Sequence, residues 1–183
     1  YEMITFGQGS ANKAPEHSVM SAMVRNAFDP MDFTPMNLHQ IPRIKRVTTA
    51  AFELATAICF TSGIQHYAET PQGMDMVPEG VQSLLKTMPD FWEDTKFIDG
   101  FPGKLFVVAR KSGQKWYVAG INGEGKEKSI DLDLGFLKGK SGMTFLSSGE
   151  QNGFDQDKIT IGPDGKMQVK LKANDGFVVV FDM

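Results

Sequence analysis

The hydrophobic period of this chain changes once, near Pro89, and that change narrows the possible folds more than any other feature. Before it, apolar residues recur mostly at helical spacing; after it, they alternate with polar ones. Ala51, Leu54, Ala55 and Ile58 fall at i, i+3, i+4 and i+7. That spacing lines one face of a helix over 48–63, with Gly63 suited to end it. Phe52, Cys59 and Phe60 add apolar bulk on its other faces, so the helix should be covered on more than one side. Pro15 and Glu16 predict the first turn of another helix running towards Asn26, because proline is tolerated there and an acid complements the helix dipole. A third helix, 81–88, ends before Pro89. Short extended pieces at 1–6, 31–34 and 64–68 lie between them, and strand–helix alternation is the sign of βα construction.

After Pro89, Ile130, Leu132 and Leu134 alternate with Ser129, Asp131 and Asp133, and Met167, Val169 and Leu171 with Gln168, Lys170 and Lys172. Half-buried antiparallel strands have this pattern. Segments 104–110, 116–121, 143–146, 158–161 and 177–181 predict further strands. The turns Ser112-Gly113, Asn122-Gly123 and Pro163-Asp164-Gly165 separate several of them. The expected fold class is therefore α/β plus all-β, divided at residues 1–88 and 89–183, the second part being a β-sandwich. Three short strands cannot close a barrel, and a small open parallel sheet leaves its edges exposed. The first half thus reads as incomplete, its missing strands belonging to an absent N-terminal part. A start at Tyr1 rather than Met agrees with truncation.

Composition removes several function classes. With 19 basic and 22 acidic residues the net charge is −3, which argues against a nucleic-acid footprint. No apolar run approaches the ~20 residues of a membrane helix. Cys59 is the lone cysteine, so no internal disulfide and no Cys-based metal site can form; its setting predicts a buried small hydrophobe. There is no phosphate-binding Gly-Lys-Ser/Thr loop, no Gly-x-Ser-x-Gly elbow and no His-Glu-x-x-His helix.

What remains is a set of acids and imidazoles at the predicted βα loops, where such folds place function. Glu2 precedes a loop with Gly7 and Gly9, and Glu16 and His17 begin a helix; Asp29 and Asp32 flank Pro30-Met31, and His66 and Glu69 flank Tyr67-Ala68. Paired carboxylates are the usual machinery of glycoside hydrolysis, one donating a proton to the leaving oxygen and the other acting as base or nucleophile. Plainer readings compete. Glu16 can be a surface residue complementing the helix dipole, His66 a hydrogen-bonded core residue, and Asp32 a turn cap. Trp92, Trp116 and Tyr117 can form a sugar-stacking platform or fill the sandwich core. The residues alone leave enzyme identity open.

Read in order, several segments resemble the C-terminal portion of glycoside hydrolase family 97. They are Pro15-Glu16-His17-Ser18 with Val24-Arg25-Asn26, then Asp29-Pro30-Met31-Asp32-Phe33-Thr34-Pro35, which is similar to the family's Gly-Pro-Met-Asp-Tyr-Thr-Pro. Thr48-Thr49-Ala50-Ala51-Phe52-Glu53-Leu54-Ala55 and Gln65-His66-Tyr67-Ala68-Glu69 follow, then Trp92-Glu93-Asp94-Thr95, Asp99-Gly100, Val107-Val108-Ala109-Arg110-Lys111 and Trp116-Tyr117-Val118. The likeness weakens after Leu137, and its weight lies in the collinearity of the pieces.

The resemblance implies that residues 1–88 are the last βα units of a (β/α)8 catalytic barrel and 89–183 an antiparallel β-sandwich associated with homo-oligomer contacts. It implies a calcium-dependent α-glycosidase acting on α-glucosides or α-galactosides, in the periplasm or secreted, of bacterial origin. Glu2, a dozen or so residues before Pro-Glu-His, corresponds to the family's general-acid glutamate, which also touches calcium; Glu16 is the second catalytic candidate. The fragment alone is expected to be inactive. From a different class, the sandwich could serve as a non-catalytic module for oligomerisation or carbohydrate binding.

Overall fold

A computed structural model describes residues 7–34, 37–39 and 43–183. Four helices come first: α1 (Gln8–Met23), α2 (Ala50–Cys59), α3 (Pro71–Asp75) and α4 (Glu79–Lys86). Nine strands follow: β1 (Asp94–Phe101), β2 (Leu105–Ser112), β3 (Lys115–Asn122), β4 (Lys128–Asp133), β5 (Ser141–Ser147), β6 (Phe154–Asp155), β7 (Lys158–Thr160), β8 (Lys166–Leu171) and β9 (Gly176–Asp182). All the pairings between them are antiparallel. The larger sheet runs β1-β2-β3-β9-β5-β6, with β7 also on β5, and β4 and β8 form a separate two-stranded ribbon.

Packing explains why β2 and β3 are apolar at nearly every position rather than at alternate ones. One face of the large sheet carries the β4–β8 ribbon, and Leu105, Val107, Val118, Phe177 and Val179 meet Ile130, Leu132, Val169 and Leu171 there. The other face carries the helices, and Phe106, Val108, Ala119, Ile121 and Val178 meet Val19, Phe52, Leu54, Ile58 and Leu84. This second core contains residues from both sides of Pro89. A strand covered on both faces reads as a continuous apolar run.

The chain before Pro89 departs from its expected pattern. Among the described residues it holds one isolated parallel bridge, Phe33 to Gln65, where the 31–34 and 64–68 strands were expected; the strand expected at 1–6 lies outside the described residues. Helix α1 begins at Gln8, so Pro15 lies inside it instead of at its start. Gly7, at φ 129, makes the turn into the helix, and its carbonyl accepts the amides of Ser10 (3.1 Å) and Ala11 (3.0 Å). Pro15 has no N–H for the Ala11 carbonyl, a cost borne because Ala11, Ala14, Pro15, Val19 and Ala22 are all buried. Strand β1 was not anticipated, because an edge strand buried on one side only carries polar residues and a bulge between Phe97 and Asp99. Among the described residues, no helix is long and apolar enough to cross a membrane.

Candidate functional site

The parallel bridge sets the direction of two neighbouring segments. The His66 amide donates to the Phe33 carbonyl at 3.5 Å, and the chain leaves both segments in the same sense. Their continuations, the loop before α2 and the stretch at Glu69, meet in a buried polar cluster. This is the end at which parallel βα arrays carry loop-borne chemistry.

Glu69 anchors one side of the cluster, and its side chain is 2% exposed. Oε2 accepts the Leu38 amide at 2.8 Å and the His39 amide at 3.3 Å, while Oε1 accepts the Thr70 amide at 2.9 Å and faces the His39 imidazole. Gly73 closes the turn beneath: a Cβ there would fall 2.1 Å from Glu69 Oε1, so no larger residue fits without displacing the pair. The Thr70 hydroxyl caps α3 by accepting the Gly73 amide at 3.0 Å.

Arg46 anchors the other side and is 1% exposed. Its guanidinium donates to the carbonyls of Thr48 (3.1 Å) and Asn37 and to Asn152 Oδ1. Burial pulls its pKa down, and the charges of Glu53 and Glu69 pull the other way. Glu53 is only half-buried as a residue, but its carboxyl points inward and accepts the Thr48 hydroxyl at 2.5 Å. Burial raises its pKa above the usual carboxylate range, with Arg46, Thr48 and the Asn37 backbone opposing. The oxygens and guanidinium hydrogens of this cluster are largely engaged by backbone, so it can hold loop geometry and is poorly placed to exchange protons with a ligand.

Helix α2 leads away from this cluster and is held at both ends by residues of the sandwich. At its start, the Thr49 hydroxyl accepts the Phe52 amide and donates to Asp175 Oδ1 at 2.6 Å; Asp175 is buried and also accepts the amides of Gly176 (2.8 Å) and Lys172 (3.0 Å). Gln151 Nε2 donates to the carbonyls of Arg46 (2.6 Å) and Thr48 (2.9 Å), and the Ala50 amide donates to the Gln151 carbonyl at 2.9 Å. At its end, Arg110 donates to the carbonyls of Ile58 (2.7 Å) and Cys59 (3.1 Å) and to Thr95 Oγ1 at 3.0 Å. An anion at the N-terminus and a cation at the C-terminus both complement the helix dipole.

The structure scatters the residues that the sequence grouped. Glu2 lies outside the described residues. Glu16 is exposed in the third turn of α1, not the first, and faces the β1–β2 hairpin, with its Cγ 3.4 Å from where a Gly103 Cβ would stand. His17 is exposed and lies 3.4 Å from the Ser21 hydroxyl. Asp29 lines an open cleft of about 460 Å³ with Phe28, Asp90, Phe91 and Trp92, and Asp32 is exposed. His66 is exposed, contrary to the core reading, because it points away from the side on which Gln65 is half-buried; Glu69 alone of that pair turns inward. Trp116 and Tyr117 are core residues, Trp116 edge-on to Phe136 at 4.9 Å, whereas Trp92 packs edge-on to Tyr117 at 5.3 Å and lines the cleft. Cys59 is buried, and desolvation pushes its thiol up to about 12, as a small core residue should be.

Sequence reasoning missed Arg46, Gln151, Asn152 and Asp175. Arg46 belongs to the basic pair Lys45-Arg46, and nothing local says which of the two turns inward. Asp175 had a weak signal: Asn174-Asp175-Gly176 is turn chemistry, and Asn174 sits at φ 52.

Comparison with known proteins bears on both halves. Residues 91–182 match the family described as glycosyl-hydrolase 97 C-terminal, oligomerisation. A probable retaining alpha-galactosidase of Streptomyces bingchenggensis is 28% identical over 175 residues, 95% of this chain. A retaining alpha-galactosidase of Bacteroides thetaiotaomicron is 26% identical over 179 residues, 90% of this chain. The chain spans 27% of the length of each. Among solved structures, a beta-arabinopyranosidase superposes with TM-score 0.90 at 25% identity, covering 96% of this chain and 29% of its own. A glycoside hydrolase family 97 enzyme from Pseudoalteromonas sp. strain K8, in complex with panose, superposes with TM-score 0.79 at 25% identity, covering 96% and 30%.

Proposed function

This chain belongs to glycoside hydrolase family 97, matching its C-terminal domain, and from that premise we propose that it is the C-terminal part of an α-glycosidase. The observation that carries the reading is coverage: the alpha-galactosidase relatives align over 90–95% of the chain, so the helical part before Pro89 is included as well as the sandwich. In this reading residues 1–88 complete a (β/α)8 barrel whose other strands lie in a longer protein, and the Arg46–Glu69 cluster stiffens loops at its C-terminal face.

The preferred substrates are α-galactosides, with α-glucosides as the alternative. A β-arabinopyranoside of the L series has the ring configuration of an α-galactoside lacking its C6 hydroxymethyl group, so the named activities of the relatives and of the arabinopyranosidase describe similar sugars. Glu2 acts as the general acid: its carboxyl proton passes to the glycosidic oxygen as the bond to the anomeric carbon breaks, while a partner carboxylate attacks that carbon or activates water. Retention is the expected outcome, following the relatives' names. Glu16 is the weaker candidate, since it faces a hairpin rather than the loop cluster.

Calcium is part of this proposal, and it would orient carboxylates and sugar hydroxyls. Calcium takes six to eight oxygens, and among the described residues no three acidic, histidine or cysteine groups converge. In this reading its carboxylate ligands other than Glu2 lie in the longer protein. A periplasmic or secreted location belongs to the same reading.

Hydrolysis of nitrophenyl α-galactoside, α-glucoside and β-L-arabinopyranoside by the full-length protein, with and without chelator, tests it. Glu2→Gln should lower turnover by on the order of 10²–10⁴ for a leaving group that needs protonation. An unchanged rate on such a substrate, an alkyl or sugar α-galactoside rather than a nitrophenyl one, removes Glu2 from the mechanism, and inactivity on all three nitrophenyl sugars removes the glycosidase reading. A non-catalytic association role for residues 91–182 is the second reading, supported by the description of the matched family.

A further inference from the structure

Residues 34–49 separate Phe33 of the parallel bridge from Ala50, where α2 begins. A strand-to-helix connection in such arrays usually takes about 2–6 residues, and one beyond about 12–15 is uncommon and generally functional. In a (β/α)8 barrel the loops that follow the strands build the active site. Whatever holds this connection therefore bears on the site, and it is held from two sides. On the barrel side, Asn37 Nδ2 donates to the Ala68 carbonyl at 3.3 Å, and Glu69 accepts the Leu38 and His39 amides.

The other grip comes from the sandwich, 105 and 106 residues away in sequence. Gln151 and Asn152 stand on the connection between β5 and β6, residues 148–153, which is closed on itself. There the Ser148 amide donates to the Gly153 carbonyl at 3.2 Å, and the Gly153 amide donates to the Glu150 carbonyl at 3.2 Å. At its root, the Ser147 hydroxyl donates to Asp175 Oδ1, the oxygen that also accepts the Thr49 hydroxyl. Two side chains thus project from a fixed backbone. Gln151 Nε2 bridges the Arg46 and Thr48 carbonyls. Asn152 Oδ1 takes one arm of the Arg46 guanidinium, and the other arm holds the Asn37 carbonyl. Arg46 and Asn37 are both buried. A buried guanidinium arm that loses its acceptor is costly, so removing Asn152 should shift Arg46, and Asn37 with it, to find another.

We propose that Gln151 and Asn152 of the sandwich are positioning residues for the sugar pocket: through Arg46 they hold segments 37–39 and 46–49 where the barrel receives its substrate. The inference rests on the reading of residues 1–88 as the end of an α-glycosidase barrel. It gives the sandwich a part in substrate binding that is separate from association. Misplacing a positioned group by about 1 Å can cost ~100-fold even when the substitution lies far from the chemistry. Contacts from such a loop are made in the ground state as well as the transition state, so their loss appears in KM.

Steady-state hydrolysis of nitrophenyl α-galactoside, α-glucoside and β-L-arabinopyranoside by the full-length protein tests this, at a temperature where circular dichroism shows every variant folded. Asn152→Leu keeps the size of the side chain and removes the acceptor; it should lower kcat/KM by about 10- to 100-fold, mainly through a higher KM. Asn152→Asp restores an acceptor for Arg46 and should bring KM back towards wild type. Gly113→Ala, in the β2–β3 turn at the opposite end of the sheet from Asp175, is the control for lost stability alone and should leave KM unchanged. Should Asn152→Leu fail to fold, Gln151→Met, which drops the bonds to the Arg46 and Thr48 carbonyls, is read in its place. Folded variants that melt lower but keep wild-type KM and kcat overturn the proposal and leave the glycosidase reading standing. A rise in KM for Gly113→Ala as large as that for Asn152→Leu also overturns it. A wild type inactive on all three sugars overturns both.

Discussion

Arg110 offers the sharpest test of how the helices are attached to the sheet. Its guanidinium reaches across from β2 to the last carbonyls of α2, and burial lowers its pKa. Arg110→Met keeps most of the stem and its packing while removing all three hydrogen bonds. The Ile58 and Cys59 carbonyls are then left buried without that partner, at about 1–3 kcal/mol each, and a cation at the helix C-terminus is lost, worth up to ~2 kcal/mol when partly buried. These effects overlap, so we expect a loss of about 3–4 kcal/mol. For a chain of this size, 1 kcal/mol moves Tm by about 2–4 °C, so the variant should melt roughly 6–16 °C lower. Urea unfolding followed by circular dichroism supplies the free energy directly, and Arg110→Lys, which keeps the charge without the fork, should recover part of it. A Met variant within about 1 kcal/mol of wild type at unchanged m-value would mean that water or a neighbouring group replaces Arg110 at the helix end, and the account of α2 as tied at both termini would fail.

Other consequences can be measured on the same chain. Because burial raises the folded pKa of Glu53, the folded state holds a proton that the unfolded chain has released; stability should fall as pH rises from the ordinary Glu value of 4.5 through the raised one, and Glu53→Gln should remove that slope, read as the Tm difference between the two proteins across the pH range. Cys59, with its thiol pushed up to about 12, should resist a disulfide reagent in the native state and react on unfolding in urea; rapid native labelling would place it nearer solvent than the structure does. Gly176→Ala puts a Cβ 2.6 Å from Phe52 Cα and should cost about 1–3 kcal/mol or more. Gly113→Ala, in open space at φ 56, should cost only about 1–2 kcal/mol of left-handed strain, and equal losses for the two would refute the close approach of α2 to β9.

The sandwich was legible because its strands advertise themselves twice, by alternation and by turns that demand glycine. Gly113 at φ 56 and Gly165 at φ 72 sit where Ser112-Gly113 and Pro163-Asp164-Gly165 placed turns. Strand β1 was hidden because Asp94, Thr95, Lys96 and Asp99 suit a solvent-washed edge as well as a loop. Pro15 misled for a related reason: a proline usually marks a first turn, but the packing of Ala11, Ala14, Val19 and Ala22 outweighs one missing hydrogen bond. At the loop cluster, Glu69 was among the acids that βα order singled out, but Arg46 was not. Arg46 feels the charges of Glu53 and Glu69 across a sequence gap that carries no periodicity, and only the fold reveals that its guanidinium also donates to Asn152.

The sharing of one core by segments far apart in sequence has a consequence for synthesis. Helix α2 is complete when residue 59 leaves the ribosome, yet the strand its Phe52 rests against, β9, ends at Asp182. At about 5–20 residues per second, the apolar face of α2 therefore waits roughly 6–25 seconds for the last strand that covers it. Nascent chains halted before β9 should bind holdase chaperones through the 50–60 segment and release them once the last strand is made.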